Sequence, residues 1–298
     1  MCAIKLIALY FYVCERYERE LKYECQRFSN NNDPAFSDCE VLTIYLYVVS
    51  EEKRFRIKSI HDFSRRYLLS WFPGLPSYQA FNKRLNRMSV VLQQLAAELL
   101  EQNIPPDCDD ASMLVDSVPI VTCSGRRHGK VAREITSKGY CAAKGMYYYG
   151  LRLHSLGLRR NQKLPWICRL VVSDAAENDL NVFKQYFSEI ENTTFYGDKI
   201  YHNKDWFDQL AKDYDSHMHT PVKSVKDKAE RLKQWDKAAD TLYSKAVSSV
   251  RQPIESLFNW LIEKTDLQRA SKVRSTTGLL VHVFGKLAAA FVYCIFNP

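Results

Sequence analysis

Ala111-Ser-Met-Leu-Val-Asp116-Ser-Val-Pro-Ile-Val-Thr-Cys123 is the stretch that decides how the chain is read. Met113, Leu114, Val115, Val118, Ile120 and Val121 make it a β-prone run with Asp116 in its middle. A run of that kind enters a sheet core, where an ionised carboxylate is costly unless it is paired or binds a cation. Taken alone, Asp116 reads more readily as an aspartate that ends the strand and caps a turn. The context recurs, however. Thr193-Thr-Phe-Tyr-Gly-Asp198 is a second β-prone run that delivers an aspartate, beside a glycine that admits close backbone approach. A third carboxylate, Glu255, lies in Arg251-Gln-Pro-Ile-Glu-Ser-Leu-Phe258, where Ile254, Leu257, Phe258 and Leu261 have helical spacing and form an apolar stripe. Glu255 borders that stripe with Arg251 one turn before it, an arrangement that also describes an ordinary surface ion pair. Two strand aspartates and a helix glutamate are what a Mg²⁺ site for phosphoryl transfer needs.

Length and composition bound the possibilities. The 298 residues, 46% hydrophobic and 26% charged, suffice for one large catalytic domain and a smaller one. A formal net charge of +8 is compatible with nucleic acid without requiring it. The nine cysteines are scattered with no C-x-x-C pair, so they read as reduced, buried thiols rather than as a zinc site. The apolar run Ile4–Val13 is broken by Lys5 and lacks a small-residue cleavage site, unlike a signal peptide. Leu279–Phe296 approaches membrane-spanning length, but His282 and Lys286 lie one helical turn apart inside it, which predicts a buried helix. The expected location is cytoplasmic, with no membrane partner.

Residues 1–105 predict an all-helical region. Ile4–Phe28 has helical spacing, and Ser37-Asp-Cys-Glu40 opens the run Val41–Val49 in the manner of a capping box. After a basic, aromatic segment at 53–70, Trp71-Phe-Pro-Gly-Leu-Pro-Ser77 signals a turn into a helix that carries Gln79, Lys83, Arg84 and Arg87. A helix, a Gly/Pro turn and a second helix bearing amides and guanidiniums read either as a DNA-reading unit or as the solvated basic face of a bundle. Ile104-Pro-Pro-Asp107 marks a boundary. Strands are then predicted at Tyr147–Leu158 and Trp166–Ser173, and a helix at Leu180–Ile190 with Asp179 as its cap. After the strand leading to Asp198 come a helix at Lys204–Tyr214, a short strand at His217–Val222 and a charged stretch, Lys223–Lys245. The sum is an α/β fold, a mixed sheet flanked by helices over 106–298, preceded by the helical region 1–105. One residue fits badly: Pro119 removes a ladder donor just past Asp116, which a central strand tolerates poorly. His217-Met-His219 projects two rings to one face, as a zinc site would, but no third ligand stands near it in the sequence. His154 reads as a sheet histidine with its hydrogen bonds satisfied.

Several stretches are specific enough to compare with a family. They are Val115-Asp-Ser-Val-Pro-Ile120, Gly139-Tyr140 with Lys144, Tyr147-Tyr-Tyr-Gly-Leu-Arg-Leu-His154, Tyr196-Gly-Asp-Lys-Ile-Tyr201, Arg251–Phe258 and Arg274-Ser275 with Gly278-Leu279. Phe36–Thr43 and Phe72–Leu75 extend the likeness toward the N-terminus. Together they resemble DDE transposases of bacterial insertion sequences, most closely the group typified by insertion sequence 982. The resemblance implies an RNase H-like catalytic domain, the triad Asp116, Asp198 and Glu255, and a Pro119 that is at home where it stands. The related Tyr-x₂-Arg-x₃-Glu-x₆-Lys signature is matched only in Arg251 and Glu255; position 248 is Ser, 262 is Ile and the nearest lysine is Lys264. The supporting roles of its Tyr and Lys are therefore not carried over.

The implied reaction is Mg-dependent DNA strand cleavage and strand transfer at the element's ends. The three carboxylates would hold two Mg²⁺ ions about 3.5–4 Å apart, with Mn²⁺ able to substitute. Lys199 and Arg251 would neutralise nearby phosphate, and Arg126, Arg127, Lys130 and Arg133 would hold the strand, solvated charge being the alternative. The expected partners are DNA, both element ends and target, and a second copy of the chain in a dimer on DNA. Two rivals share these features: a structure-specific RNase H-like nuclease that cuts without joining, and an inactive relic that only binds DNA.

Overall fold

Helices come first in the computed structural model of the chain, which describes residues 3–25, 34–222 and 230–297. Helices α1 (Ala3–Arg19), α2 (Asp38–Ser50), α3 (Ile57–Tyr67), α4 (Tyr78–Arg87) and α5 (Ser89–Gln102) precede the first strand. The start of α2 follows from its sequence. Ser37 Oγ accepts from the Glu40 N–H, and the Glu40 carboxylate accepts from the Ser37 N–H, so two donors orphaned at the helix end are satisfied. α1 stops at Arg19 and a 3-10 turn follows over Leu21–Tyr23; the end of the longer helix expected there, residues 26–28, lies outside the described residues.

The strands are β1 (Cys108–Ser124), β2 (Ser137–Cys141), β3 (Met146–Arg160), β4 (Trp166–Asp174), β5 (Thr194–Tyr196) and β6 (His217–His219). Helices α6 (Asp179–Tyr186) and α7 (Lys204–Tyr214) flank β5 in sequence. β1 lies antiparallel to β3 on one edge and parallel to β5 on the other, and β6 lies parallel to β5. The far edge of β3 pairs with β2 along its first residues and with β4 along the rest. The result is a mixed sheet. Last come α8 (Glu230–Thr265) and α9 (Thr276–Phe296); residues 223–229, the start of the expected charged stretch, lie outside the described residues.

Alternation along β1 sends its side chains to two separate cores. Met113 and Val115 join Phe183, Phe187, Phe195 and Leu210 beneath α6 and α7. Leu114, Val118 and Ile120 join Ile254, Leu257, Phe258 and Leu261 of α8. Asp116 therefore shares a face with Leu114 and Val118, the face that α8 covers.

Pro119 is accommodated because of what lies beside β1 past Leu114. β5 pairs with β1 only over 112–114, so the later N–H groups on that edge find other acceptors. The Ser117 N–H donates to Asp116 Oδ1 at 2.8 Å and the Val121 N–H to the Gln268 carbonyl at 2.8 Å. Pro119 falls between them, where no strand requires a donor.

α9 is long and apolar enough to cross a membrane by length and composition, yet most of it is buried against α2, α5 and the rest of the core. Its two interior polar residues are satisfied by the turn that ends α8. His282 Nε2 donates to the Leu267 carbonyl at 2.8 Å and Lys286 Nζ to the Asp266 carbonyl at 2.7 Å. Both carbonyls belong to the turn just past the end of α8, where the Asp266 carbonyl also accepts from the Arg269 N–H. The eight cysteines among the described residues are free thiols.

Burial, with Lys286 beside it, pushes the His282 imidazole down to about 3. The unfolded chain takes up this proton near pH 6.5 and the folded one only near pH 3, so this residue makes stability fall as pH drops between those values. Replacing His282 with Gln, which keeps a donor for the Leu267 carbonyl, should flatten the acid limb of a melting-temperature profile over that range. An unchanged acid limb would show that His282 already exchanges its proton freely in the folded state.

Candidate active site

The site is set by strand register. In the parallel β1–β5 pair, Leu114 stands opposite Tyr196. Two residues further along each chain are Asp116 and Asp198, pointing to the same face from neighbouring positions. They are near enough for the Asp198 charge to act on the Asp116 carboxyl. Gly197 makes the approach possible: a Cβ there would lie 3.1 Å from Val115 Cγ1 and 2.9 Å from Tyr201 Cδ2. Beyond Tyr196 the chain leaves the strand, and Asp198 caps a 3-10 turn over Lys199–Tyr201 by accepting from the Lys199 N–H.

α8 brings the third carboxylate. Its apolar stripe is buried on the sheet, which leaves Glu255 at the rim with its side chain 49% exposed. Arg251, one turn earlier, joins the two elements. It donates through Nη1 to Asp116 Oδ2 at 3.0 Å and through Nη2 to Glu255 Oε1. The Arg251 side chain is only 14% exposed and its buried Nε makes no hydrogen bond.

Electrostatics shows that the three acids share one field. Burial pushes the Asp116 carboxyl up to about 6, and Asp198 and Glu255 add to the rise. Arg251 and the Ser117 N–H oppose it. Asp116 thus carries its charge at a cost set first by burial, with the two neighbouring acids adding to it.

Other side chains expected at the site are spread around it. Arg126, Arg127 and Lys130 are exposed on the loop after β1, where Arg133 donates to the Gly129 carbonyl, and Lys199 is exposed beside Asp198. Gln79, Lys83 and Arg87 form an exposed stripe along α4. Arg84 is turned inward instead, its Nε donating to Asp38 Oδ1 at 2.6 Å and its Nη1 to the Phe36 carbonyl, so that it ties α4 to the start of α2. The histidines of β6 are divided: His217 is exposed, while His219 Nδ1 lies 2.9 Å from the Tyr243 hydroxyl on α8. Among the described residues no three His, Cys, Asp or Glu side chains stand close enough to hold a metal ion as arranged; that is true of His217 and His219, and equally of Asp116, Asp198 and Glu255, between which Arg251 stands.

Asp179 is not the cap of α6. Asn178 is, its side chain accepting from the Leu180 N–H at 2.9 Å. Asp179 is buried behind β3 instead, its Oδ2 2.7 Å from Arg152 Nη1 and its Oδ1 3.3 Å from His154 Nδ1. Burial opposes its ionisation, but His154, Arg152 and Ser117 together hold the carboxyl below its ordinary value. Ser117 links this buried group to the neighbour of Asp116. Sequence spacing gave no sign of it, because a helix-start aspartate looks the same whether it caps or turns inward. His154 Nε2 is 2.8 Å from Ser173 Oγ, while its buried Nδ1 faces Asp179 Oδ1 without a hydrogen bond, so this sheet histidine is satisfied on one side only.

Comparison with known families now bears on this geometry. A family model described as a transposase DDE domain matches residues 109–292, more than half of the chain, and that span holds β1, β5 and α8 with all three acids. The chain belongs to the DDE transposases. No curated protein and no solved structure is significantly similar to it. A transposase acts on DNA, and DDE transposases generally use divalent metals such as Mg²⁺. The donor set here fits such an ion. It consists of hard carboxylate oxygens, and a bound cation would offset the cost of burying the Asp116 charge.

The buried Asp179–Arg152 pair carries a prediction for this transposase. Asp179→Asn leaves a guanidinium buried without its counter-charge and should cost about 3–5 kcal/mol in urea denaturation. A loss below about 1 kcal/mol, the range of an exposed pair, would show that Arg152 finds water when its partner is removed.

Proposed function

We propose that this transposase cuts DNA at the ends of an insertion sequence and joins the freed 3′ end to target DNA, using Asp116, Asp198 and Glu255 to hold the catalytic Mg²⁺ ions. The observation that carries the reading is the β1–β5 register, which ends two residues before Asp116 and Asp198, with Arg251 reaching from Asp116 to Glu255. An RNase H-like catalytic domain is supported by the strand order. The antiparallel strands β4, β3 and β1 are followed by β5 and β6, both parallel to β1. Likeness to the group typified by insertion sequence 982 rests on the motifs quoted above.

Divalent ions bound by the three carboxylates would activate the attacking oxygen and stabilise the departing one. The chain's own residues do the rest. In cleavage, water attacks the phosphorus, the 3′ oxygen leaves and takes up a proton, and a 5′ phosphate remains. In joining, the new 3′-hydroxyl attacks a target phosphodiester and displaces its 3′ oxygen, so one ester bond replaces another with no external energy source. Arg251 keeps Asp116 and Glu255 within mutual reach by offsetting their repulsion, and as a planar cation beside them it suits a phosphate oxygen. Lys199, Arg126, Arg127 and Lys130, all exposed, hold the strand. Residues 1–105 recognise the element's ends through Gln79, Lys83 and Arg87, and two ends call for two copies of the protein.

Asp116→Asn, Asp198→Asn and Glu255→Gln keep size and remove the charge that holds the metal. Each should lower Mg²⁺-dependent cleavage by at least about 10²–10³-fold, the equivalent of several kcal/mol of charge stabilisation. End-DNA binding should persist, and the losses should not add, because the acids act as one unit. An amide variant that cleaves near-normally would remove that residue from the site. A wild-type protein that cuts but yields no strand-transfer product would favour the nuclease reading.

A further inference from the structure

A second concentration of positive charge lies apart from the carboxylates, in a cavity of about 470 Å³. Its walls come from parts of the chain that are distant in sequence: Tyr45 of α2, the start of α3, one face of α4, and the turn from α8 into α9 with the first half of α9. Arg56, Lys58, Arg269, Lys272 and Arg274 line it, and all five are exposed. Asp266 is the one acidic lining residue, 3.9 Å from Arg269. The side chains of Arg56, Lys58 and Lys272 make no ion pair or hydrogen bond with the described residues.

An ordinary solvated basic face would be convex, with its ammonium groups in water. This one is concave, and its lining includes a cation that water hardly reaches. Lys286 is 2% exposed; its Nζ donates to the Asp266 carbonyl and stands 5.7 Å from the centroid of the Phe55 ring, another lining residue. Burial pushes its ammonium down to about 7. Cations gathered on a concave surface repel one another and raise the local concentration of anions.

The cavity is also joined mechanically to the catalytic strand. The Val121 N–H donates to the Gln268 carbonyl and the Ala270 N–H to the Val121 carbonyl, at 2.8 and 2.9 Å, just beyond Asp116 on β1. α8 runs from Glu255 to Thr265 and ends at the cavity, roughly 15 Å at 1.5 Å per residue. On α4, Tyr78, Asn82 and Asn86 face the cavity, while Gln79, Lys83 and Arg87, one residue round the helix, carry the polar surface outward from its mouth.

We infer that this cavity seats a backbone phosphate of the end DNA, within about five nucleotides of the bond that is cut at 3.4 Å per nucleotide. Its role is positional: a phosphate fixed there sets how the duplex lies across Asp116, Asp198 and Glu255. The inference rests on the proposed cleavage of end DNA, and its test separates the two.

The test uses the full-length protein and a duplex carrying the inverted repeat that flanks the coding region. Affinity is measured between 50 and 200 mM salt for wild type, Lys272→Ala/Arg274→Ala, and a control of equal charge change, Lys204→Ala/Lys212→Ala on α7. The cavity variant should bind at least about tenfold more weakly, since a hydrogen bond to a charged group contributes roughly 1.5–3 kcal/mol. Its log–log salt slope should become shallower by about 0.9 for each phosphate that the variant no longer neutralises, while the control stays near wild type. Equal losses in both variants would reduce the effect to net charge and overturn the seat, as would no loss in either. Titration with inorganic phosphate distinguishes a small-anion pocket: saturable binding that the cavity variant abolishes, with DNA affinity unchanged, also overturns it. If wild type cuts end DNA while the cavity variant binds normally, only this inference falls. If the cavity variant loses binding while wild type never cuts, the seat stands and the catalytic reading falls.

Discussion

The parallel pairing of β1 with β5 is the constraint on which the site depends. A one-residue slip in that short ladder would send every side chain of β5 to the opposite face. Asp198 would then point at α6 and α7 while Asp116 still pointed at α8. The register is held by cores on both faces, Phe195 packed under α6 and Tyr196 against the α8 side, so neither strand can shift without exposing apolar surface. Gly197 lets the chain leave β5 close against Val115 and hand Asp198 to the turn that follows. Given that register, the fold brings two carboxylates together against their mutual repulsion, which Arg251 relieves in part.

The same economy joins the N-terminal helices to the sheet. α9 is sequestered by α2 and α5 on one side and by the end of α8 on the other, and one apolar cluster runs from Leu6 through the sheet to Val292. Lys286 and His282, polar groups in an otherwise apolar helix, satisfy the carbonyls at the α8 terminus. α8 is thereby fixed at both the Glu255 level and its C-terminal turn, and that turn is hydrogen-bonded to β1 at Val121. Movement of the basic cavity and movement of the carboxylates are therefore linked through rigid elements.

Much of this was readable from residue order, where local chemistry decides the outcome. The Ser37–Glu40 box, the span of α7 and the strand character around Asp116 all rest on near-neighbour effects. What was not readable depends on packing between distant segments. β2, Ser-Lys-Gly-Tyr-Cys, has no alternating pattern of its own and exists because β3 offers it an edge; a Cβ on Gly139 would lie 2.2 Å from the Ala175 carbonyl oxygen. Asp179 and Arg84 each looked like surface groups at helix positions, and each turned inward to a partner at least 27 residues away. Pro119 conflicted with a rule for central strands because the end of β5 at Tyr196, which frees that edge, has no local signal. The cavity joins residues near 56 to residues near 270 and has no counterpart in any single stretch.

The central claim is that Asp116, Asp198 and Glu255 surround one divalent-metal site, and locating the metal tests it most directly. Fe²⁺ substituted for Mg²⁺ in the full-length protein, with ascorbate and peroxide, cleaves the polypeptide wherever the backbone passes the ion. The account predicts three families of cuts, near residues 116, 198 and 255, all suppressed together by excess Mg²⁺. Cuts clustered instead near His217 and His219, or cuts near 116 and 198 with none near 255, would contradict it.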